Sequence, residues 1–395
     1  MKEIKKLYLF TFFRSLTFFA SISIAFYNSN GLSYFQIMAL QSIYGIMTAV
    51  FEIPSGVLSD LLGRKRTLIL GTVCFIAAYL CGALGSTFLP FVFMQIFAAA
   101  GQSCYSGTFV SLMYEDVKQG TDIKKTVNEI YANMHAINIF SFLSSALLSS
   151  LVVKFFGMRF TYFLTVIAYT LTFFISLLLK DRNLESKKTF KEVFENYKIQ
   201  LKNNFNSVIK NNVHFVMVNL LLFTIFASTL SYLQQPLLLT NGLNTEYLGI
   251  VMFIISGGTL LCMKIFPKIQ KFLTSRNLTI ITILSILLTL SNFFFASLIL
   301  NVITFFVITV VSSFRRIILT NRINEHITND SRATILSVIS AIEMFGLAVF
   351  SLIIGKIEDI SLKHAVLTLV AMIAVLYAVL FIVKIFKMKR IVNNQ

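Results

Sequence analysis

Long apolar stretches recur along the whole chain, and this feature limits the possible folds more than any other. A helix needs about 20 mostly apolar residues to cross a lipid bilayer. The sequence contains twelve such stretches, numbered here as spans 1 to 12: 7–27, 34–58, 67–84, 88–113, 130–155, 160–179, 213–239, 248–266, 278–298, 302–321, 333–354 and 365–385. The pattern predicts an all-α membrane protein with twelve transmembrane helices.

Composition supports a membrane protein and argues against several other classes. Hydrophobic residues make up 56% of the chain and charged residues 13%, whereas soluble proteins contain about 25% charged residues. The four cysteines all lie inside apolar spans without metal-ligand spacing, so we interpret them as packing residues. No nucleophile–base set or phosphate-binding loop is present in the sequence. We therefore expect neither an enzyme nor a metal or other cofactor.

The basic residues predict the orientation in the membrane. They cluster in alternate loops, and the loops of the opposite side contain only Lys154, Arg159, Lys356 and Lys363. Because basic residues collect on the cytoplasmic side, both termini are predicted to lie in the cytoplasm. The net charge of +17 is thereby explained as a topology signal, and we expect no nucleic-acid partner. The lipid bilayer is the expected environment, most simply the plasma membrane of a bacterium.

A polar stretch near the middle of the chain divides the spans into six and six. We predict an N-terminal bundle over 1–180, a cytoplasmic linker over 181–211 and a C-terminal bundle over 212–395. Apolar residues recur at helical spacing among the lysines of the linker. This spacing predicts an amphipathic helix lying on the inner leaflet.

The loop between spans 2 and 3 carries the sharpest motif, GVLSDLLGRKR at residues 56–66. Gly56 is expected to let a neighbouring helix approach closely, as small residues do in lipid. Asp60 is expected to accept hydrogen bonds from the amides of the following helix start. Gly63 is expected to permit a sharp reversal of the backbone.

This motif resembles the signature loop of the major facilitator superfamily of transporters. Arg64, Lys65 and Arg66 match its basic end and lie on the predicted cytoplasmic side. The resemblance implies two six-helix bundles that alternate in exposing a small-molecule substrate site near the midplane of the membrane, in a protein expected to be monomeric. It also implies that Asp60 and Arg64 stabilise the outward-open state by tying this loop towards helix 11.

Two carboxylates, Glu52 and Glu343, lie well inside apolar spans. Such groups are costly in lipid and usually face a cavity or a partner. In one interpretation they bind and release the coupling proton. In the other, Glu52 forms a permanent ion pair with Arg14 of span 1, or bonds to backbone groups freed by Pro54. Both interpretations remain open at this stage, and Arg14 is a candidate for tuning Glu52 or for contacting substrate.

The candidate substrate residues lie on helices that line the central cavity in the resembled fold. Arg14 is on helix 1, Arg315 and Arg316 are on helix 10, and Gln234 and Gln235 precede Pro236 at an expected break in helix 7.

The 41 Phe and 14 Tyr residues favour an apolar binding surface. We therefore expect export of small amphipathic compounds, driven by a proton gradient. The alternatives are transport of an organic anion or nutrient, motivated by the arginines, and a membrane sensor or anchor with the transporter fold. Proton-coupled drug antiporters of the superfamily usually carry an arginine where this chain has Phe97.

Overall fold

A computed structural model of the chain describes residues 2–117, 123–180, 214–295, 297–325 and 329–392. These residues are helical apart from short connections, and no strand occurs among them. The helices are α1 (Lys2–Arg14), α2 (Ser23–Ser29), α3 (Tyr34–Leu62), α4 (Arg64–Leu84), α5 (Phe88–Val117), α6 (Ile123–Phe156), α7 (Met158–Leu177), α8 (His214–Thr240), α9 (Leu248–Ile269), α10 (Ser275–Phe294), α11 (Leu298–Glu325), α12 (Asn329–Glu358) and α13 (Leu362–Val392). The predicted amphipathic helix of the linker, 181–211, lies outside the described residues.

Within the described residues, 10 helices are long and apolar enough to cross a membrane. They correspond to predicted spans 2 to 10 and span 12. Span 11 coincides with α12, a helix of 30 residues in which many side chains lie outside the described set. The chain is therefore a multi-pass, all-α membrane protein, and the count of twelve transmembrane helices stays a prediction.

The first span is not the single helix that its hydropathy predicts. The chain leaves α1 after Arg14 and re-enters a helix at Ser23. Between them, turn-type hydrogen bonds run from Ala20 N to Thr17 O (3.2 Å) and from Ile22 N to Phe19 O (3.0 Å). The connection contains no glycine or proline, so its sequence does not signal a break. Tertiary contacts hold it instead: the Ser21 hydroxyl lies 2.7 Å from that of Ser149.

The chain forms two compact units, and the first contains the described parts of Met1–Leu32, Ile43–Tyr197 and Asn244–Phe253. Within this unit α4 and α5 approach closely at a pair of glycines. A Cβ atom on Gly101 would lie 2.8 Å from the carbonyl oxygen of Gly71, so both positions need the smallest residue. This contact fixes α5 beside α4, and α5 supplies the residues that surround Arg14.

The second unit contains the described parts of Ser33–Ser42, Lys198–Leu243 and Ile254–Gln395. Its main apolar cluster joins α8, α11 and α12 through residues that include Leu221, Leu319, Ile323 and Ile339. Ile323 is completely buried. This packing sets the positions of Arg315 and Arg316 on α11.

Two short segments belong to the opposite unit from the one that the predicted bundles 1–180 and 212–395 would give them. The first turns of α3 belong to the second unit, where the Ser42 hydroxyl donates to the carbonyl oxygen of Ala348 (3.0 Å). The segment Asn244–Phe253 belongs to the first unit, where Ile250 N donates to Ser150 Oγ (3.0 Å). These exchanges arise from packing between residues distant in sequence, which the division by linker does not consider.

Candidate substrate and coupling sites

Arg14 ends α1 at the point where the first span breaks. Its Nη2 donates to Oε1 of Gln102 (2.9 Å). Its guanidinium carbon lies 3.3 Å from the ring centroid of Tyr105 and 5.7 Å from that of Phe75. Its Nε is buried and has no hydrogen-bond partner among the described side chains and backbone groups. A guanidinium over a ring face gains cation–π energy, but these neighbours supply no negative charge.

A cavity of about 190 Å³ opens beside this guanidinium. It is lined by Thr11, Arg14, Tyr105, Phe109, Tyr131, Met134, His135 and Asn138. Rings and a methionine supply most of the apolar surface, while Arg14 supplies a fixed positive charge. No carboxylate is among the described residues that line it. The cavity therefore combines one charged anchor with an apolar wall, which is the usual character of a small-molecule site.

The ion pair between Arg14 and Glu52 that the sequence left open is not formed. The side chain of Glu52 is exposed on α3, and Arg14 directs its Nη2 to Gln102 instead. Sequence reasoning missed Gln102, Tyr105 and Asn138, because uncharged residues in apolar spans give no local signal. Their relation to Arg14 arises only when α1, α5 and α6 pack together.

Arg315 lies on α11 and is only 3% exposed. Its Nη2 donates to Oδ1 of Asn219 (2.7 Å) and to the hydroxyl oxygen of Tyr377 (3.1 Å), and its Nη1 donates to Oγ1 of Thr282. The guanidinium carbon lies 4.6 Å from the ring centroid of Phe223. These residues come from α8, α10 and α13, so one side chain connects four helices.

The neighbouring Arg316 points to a different environment. Its Nη1 and Nη2 each lie 3.3 Å from one oxygen of the Glu343 carboxylate. The side chain of Arg316 is 56% exposed, whereas that of Glu343 is 11% exposed. The two consecutive arginines of α11 thus have different partners: Arg315 donates to neutral groups, and Arg316 pairs with a carboxylate.

Gln234 and Gln235 are both buried, at 8% exposure. The helix break expected beside them is wrong, because α8 continues through Pro236 to Thr240. A proline removes one N–H from the helix, but the helix resumes at once, and the Thr240 hydroxyl donates to the carbonyl oxygen of Pro236 (2.9 Å). A contact of either glutamine with substrate stays a prediction.

The structure confirms one of the three roles expected of residues in the signature loop. Gly63 has a φ of 86° between α3 and α4, a conformation that favours glycine. The close helix approach at Gly56 is wrong, since a Cβ atom there would meet nothing within 4 Å. The hydrogen bonds expected of Asp60 are also absent, because Gly63 is the N-cap of α4 and no side chain caps that helix. Asp60 is exposed instead.

A family model for the Major Facilitator Superfamily matches residues 7–351. The chain belongs to the Major Facilitator Superfamily. No curated protein sequence matches this facilitator significantly. Its membership makes it a membrane transporter, as the motif at 56–66 predicts.

Solved structures of transporters share its fold. The nucleoside transporter NupG is 13% identical, with 96% of this chain and 98% of that chain covered and a TM-score of 0.73. A peptide transporter POT in complex with sulfate is 14% identical, with 97% and 94% covered and a TM-score of 0.72. A POT family transporter in complex with a thioalcohol-conjugated peptide is 15% identical, with 98% and 96% covered and a TM-score of 0.70. At these identities the likeness concerns the fold alone.

Proposed function

We propose that this facilitator moves small organic anions with an apolar body across the membrane by alternating access. The observation that carries the proposal is the environment of Arg14. Among the described residues, its guanidinium has an amide oxygen and two ring faces as neighbours, its buried Nε has no partner, and the adjoining cavity has no carboxylate in its lining. A carboxylate or phosphonate ligand would supply the missing charge.

The physical argument is the cost of an unpaired charge in a poorly solvated site. Arg14 is partly buried, and a cation partly removed from water without a counter-charge loses solvation free energy that neutral partners only partly replace. An anionic ligand accepting from Arg14 would restore part of that energy through charge-assisted hydrogen bonds. The rings of Tyr105, Phe109 and Tyr131 would cover its apolar part. Such binding favours amphipathic anions over inorganic ones.

Proton coupling is part of the proposal, with Glu52 and Glu343 as the candidate groups. Glu343 already has Arg316 as a partner, so protonating its carboxylate would release that contact. Glu52 forms no ion pair among the described residues, and its side chain is exposed on the surface of α3. We further propose that the protein acts as a monomer in a bacterial plasma membrane with both termini in the cytoplasm.

A second candidate function is proton-coupled export of uncharged or cationic amphipathic compounds. Glu52 favours it, because an exposed carboxylate on an apolar helix offers a site for a cationic substrate or for the exchanged proton. In this alternative Glu52, and not Arg14, controls affinity. The two candidates therefore predict opposite results for the same pair of variants.

The test is transport into proteoliposomes that contain a trapped pH dye. Benzoate and salicylate serve as anionic probes, and tetraphenylphosphonium serves as the cationic probe. We expect Arg14→Gln to reduce anion transport at least about tenfold, because one charge-assisted contact is lost. Arg14→Lys keeps the positive charge and should retain part of the transport. The control Lys154→Gln removes a charge from an exposed position on α6 and should behave like the wild type.

The other outcomes decide between the candidates. If the cationic probe moves and Glu52→Gln abolishes its movement while Arg14→Gln does not, the export alternative replaces the anion proposal. If Glu343→Gln retains anion transport without proton flux, the coupling proton belongs to the Arg316–Glu343 pair. Failure of every probe to move under any gradient would favour a sensor or membrane anchor.

A further inference from the structure

Glu358 ends α12 on the predicted outer side and Asp359 follows it, and these two acidic residues occupy different environments. The carboxylate of Asp359 accepts hydrogen bonds from the backbone N–H groups of Tyr34 (2.6 Å) and Phe35 (3.3 Å). These are the first amides of α3, where the helix dipole favours a negative charge. We call Tyr34, Phe35, Glu358 and Asp359 the outer clasp.

Further contacts close the same end of the two helices. A Cβ atom on Gly355 would lie 2.7 Å from Cγ of Met38 and 3.0 Å from the carbonyl oxygen of Tyr34. The Lys356 ammonium lies 5.8 Å from the ring centroid of Phe35. The start of α3 and the end of α12 are thus packed against each other within the second unit. Residues of α3 from Ile43 onward belong to the first unit, so α3 passes from one unit into the other.

Glu358 is buried inside this contact, and no described group offsets the cost of removing its carboxylate from water. Its side chain is 3% exposed, and neither carboxylate oxygen has a hydrogen-bond partner within the part of the chain that the structure describes. It is also the last residue of α12, where the negative end of the helix dipole opposes an ionised carboxylate. An unpaired buried charge of this kind is strongly unfavourable, so the neutral, protonated form suits the closed clasp.

The ionisable groups of the neighbouring segments do not relieve this cost. Asp359 acts on Glu358 as a like charge, and Tyr34 of α3 faces it as a neutral phenol. Lys356 on α12, and Lys363 and His364 at the start of α13, are the other ionisable groups of these segments. None forms an ion pair with Glu358 in the described structure. Burial, reinforced by the Asp359 carboxylate, raises the pKa of Glu358 from 4.5 to about 8.

We propose that Glu358 is a proton-binding site that gates the predicted outer side of the transporter, with the outer clasp closed while Glu358 is protonated and opening when its proton leaves. Glu358 takes its proton from the outer side and releases it to the same side. The site therefore responds to the outside pH and is separate from the coupling groups Glu52 and Glu343. The inference rests on the alternating access of the proposed function.

The direction of the pH effect follows from linkage. An exposed Glu358 in the open state has its ordinary pKa near 4.5, whereas the closed state holds the proton up to about pH 8. Between these values the closed state binds a proton that the open state has lost. The ratio of closed to open molecules therefore falls as pH rises through this window, by at most about tenfold per pH unit for one proton.

The experiment measures the width of the clasp directly. Spin labels are attached through Ser33→Cys and Ile360→Cys, both at exposed positions of the second unit beside the clasp residues Tyr34 and Asp359, after the four native cysteines have been replaced by serine. Electron–electron distances are recorded in lipid nanodiscs from pH 5 to pH 9. We expect the short-distance population to decrease with rising pH in the protein that retains Glu358, and to stay constant in Glu358→Gln.

Two further variants complete the test. Asp359→Asn should lose the short-distance population at every pH, because the amides of α3 lose their anionic acceptor. Glu246→Gln, on the connecting turn Thr245–Tyr247, should follow the parent protein. A pH response that survives Glu358→Gln, or a short distance that is constant from pH 5 to 9 in the parent, overturns the proposal. Because distances are read without substrate, failure of anion transport alone rejects only the proposed function.

Discussion

Arg14 in the first unit and Arg315 in the second are arginines of apolar helices, and each covers an aromatic ring. Arg14 donates to one side chain, Gln102, and borders a cavity rich in rings. Arg315 donates to Asn219, Thr282 and Tyr377 and is almost completely buried. Arg315 also borders a cavity, of about 200 Å³, and the Nε of each arginine lacks a hydrogen-bond partner among the described residues. The difference lies in the other nitrogens: those of Arg14 make one hydrogen bond to the protein, whereas those of Arg315 connect four helices. The same residue type therefore suits binding in one unit and stability in the other.

The largest expected effect concerns stability and comes from Arg315→Met. The substitution leaves the buried acceptor on Thr282 and the partly buried acceptors on Asn219 and Tyr377 with fewer partners. A fully buried unsatisfied group costs about 1–3 kcal/mol. We expect the free energy of unfolding to fall by about 3 kcal/mol, measured by reversible denaturation in detergent. Arg14→Met is the matched control and should lose less than half as much. Equal losses would remove the distinction between the two arginines.

The next largest effect concerns ligand affinity, and here the larger loss is expected from substitution of Arg14 and not of Arg315. Arg14→Gln should weaken the binding of salicylate by about 10- to 100-fold, since a hydrogen bond to a charged group contributes about 1.5–3 kcal/mol. Isothermal titration calorimetry on protein in nanodiscs measures this change. Tyr105→Phe retains the ring beneath the guanidinium and should change affinity little. If Tyr105→Phe weakens binding as much as Arg14→Gln, the phenol and not the cation is the anchor.

A smaller effect tests one contact of the Arg315 cluster. Tyr377→Phe removes a hydroxyl that accepts from Arg315 and lies 3.3 Å from Oδ1 of Asn219. A single hydrogen bond of this kind contributes about 1 kcal/mol, so the free energy of unfolding should fall by that amount. Tyr247→Phe, at a residue 43% exposed, is the control and should be neutral. A neutral Tyr377→Phe would show that Asn219 and Thr282 hold Arg315 alone.

The smallest effect is expected for the Arg316–Glu343 pair. Because the arginine is 56% exposed, solvent screens the interaction, and such pairs contribute about 0–1 kcal/mol. A double-mutant cycle with Arg316→Gln and Glu343→Gln should give a coupling energy in that range, reduced further in 1 M salt. A coupling above about 2 kcal/mol that resists salt would indicate a rigid pair, and would argue against Glu343 as a group that changes protonation during transport.

The parts of the fold that depend on local properties could be predicted from the sequence. Hydropathy located the spans that the structure confirms as helices, and the motif at 56–66 indicated the superfamily. The turn at Gly63 was predictable because a positive φ is a property of one residue. The roles expected of Gly56 and Asp60 failed because they depended on which surface would be covered. Glycine or aspartate in a motif does not specify its neighbour.

The sequence by itself determined that this protein is an α-helical transporter of the Major Facilitator Superfamily, because lipid requires long apolar helices and the motif is contiguous. The tertiary structure decided how its charges are used. In the folded chain, helix α1 ends at Arg14 inside the first predicted span. Arg315 donates to Asn219 and Tyr377, and Asp359 accepts from the first amides of α3. Each of these contacts joins distant parts of the chain, so only packing of the helices could create it.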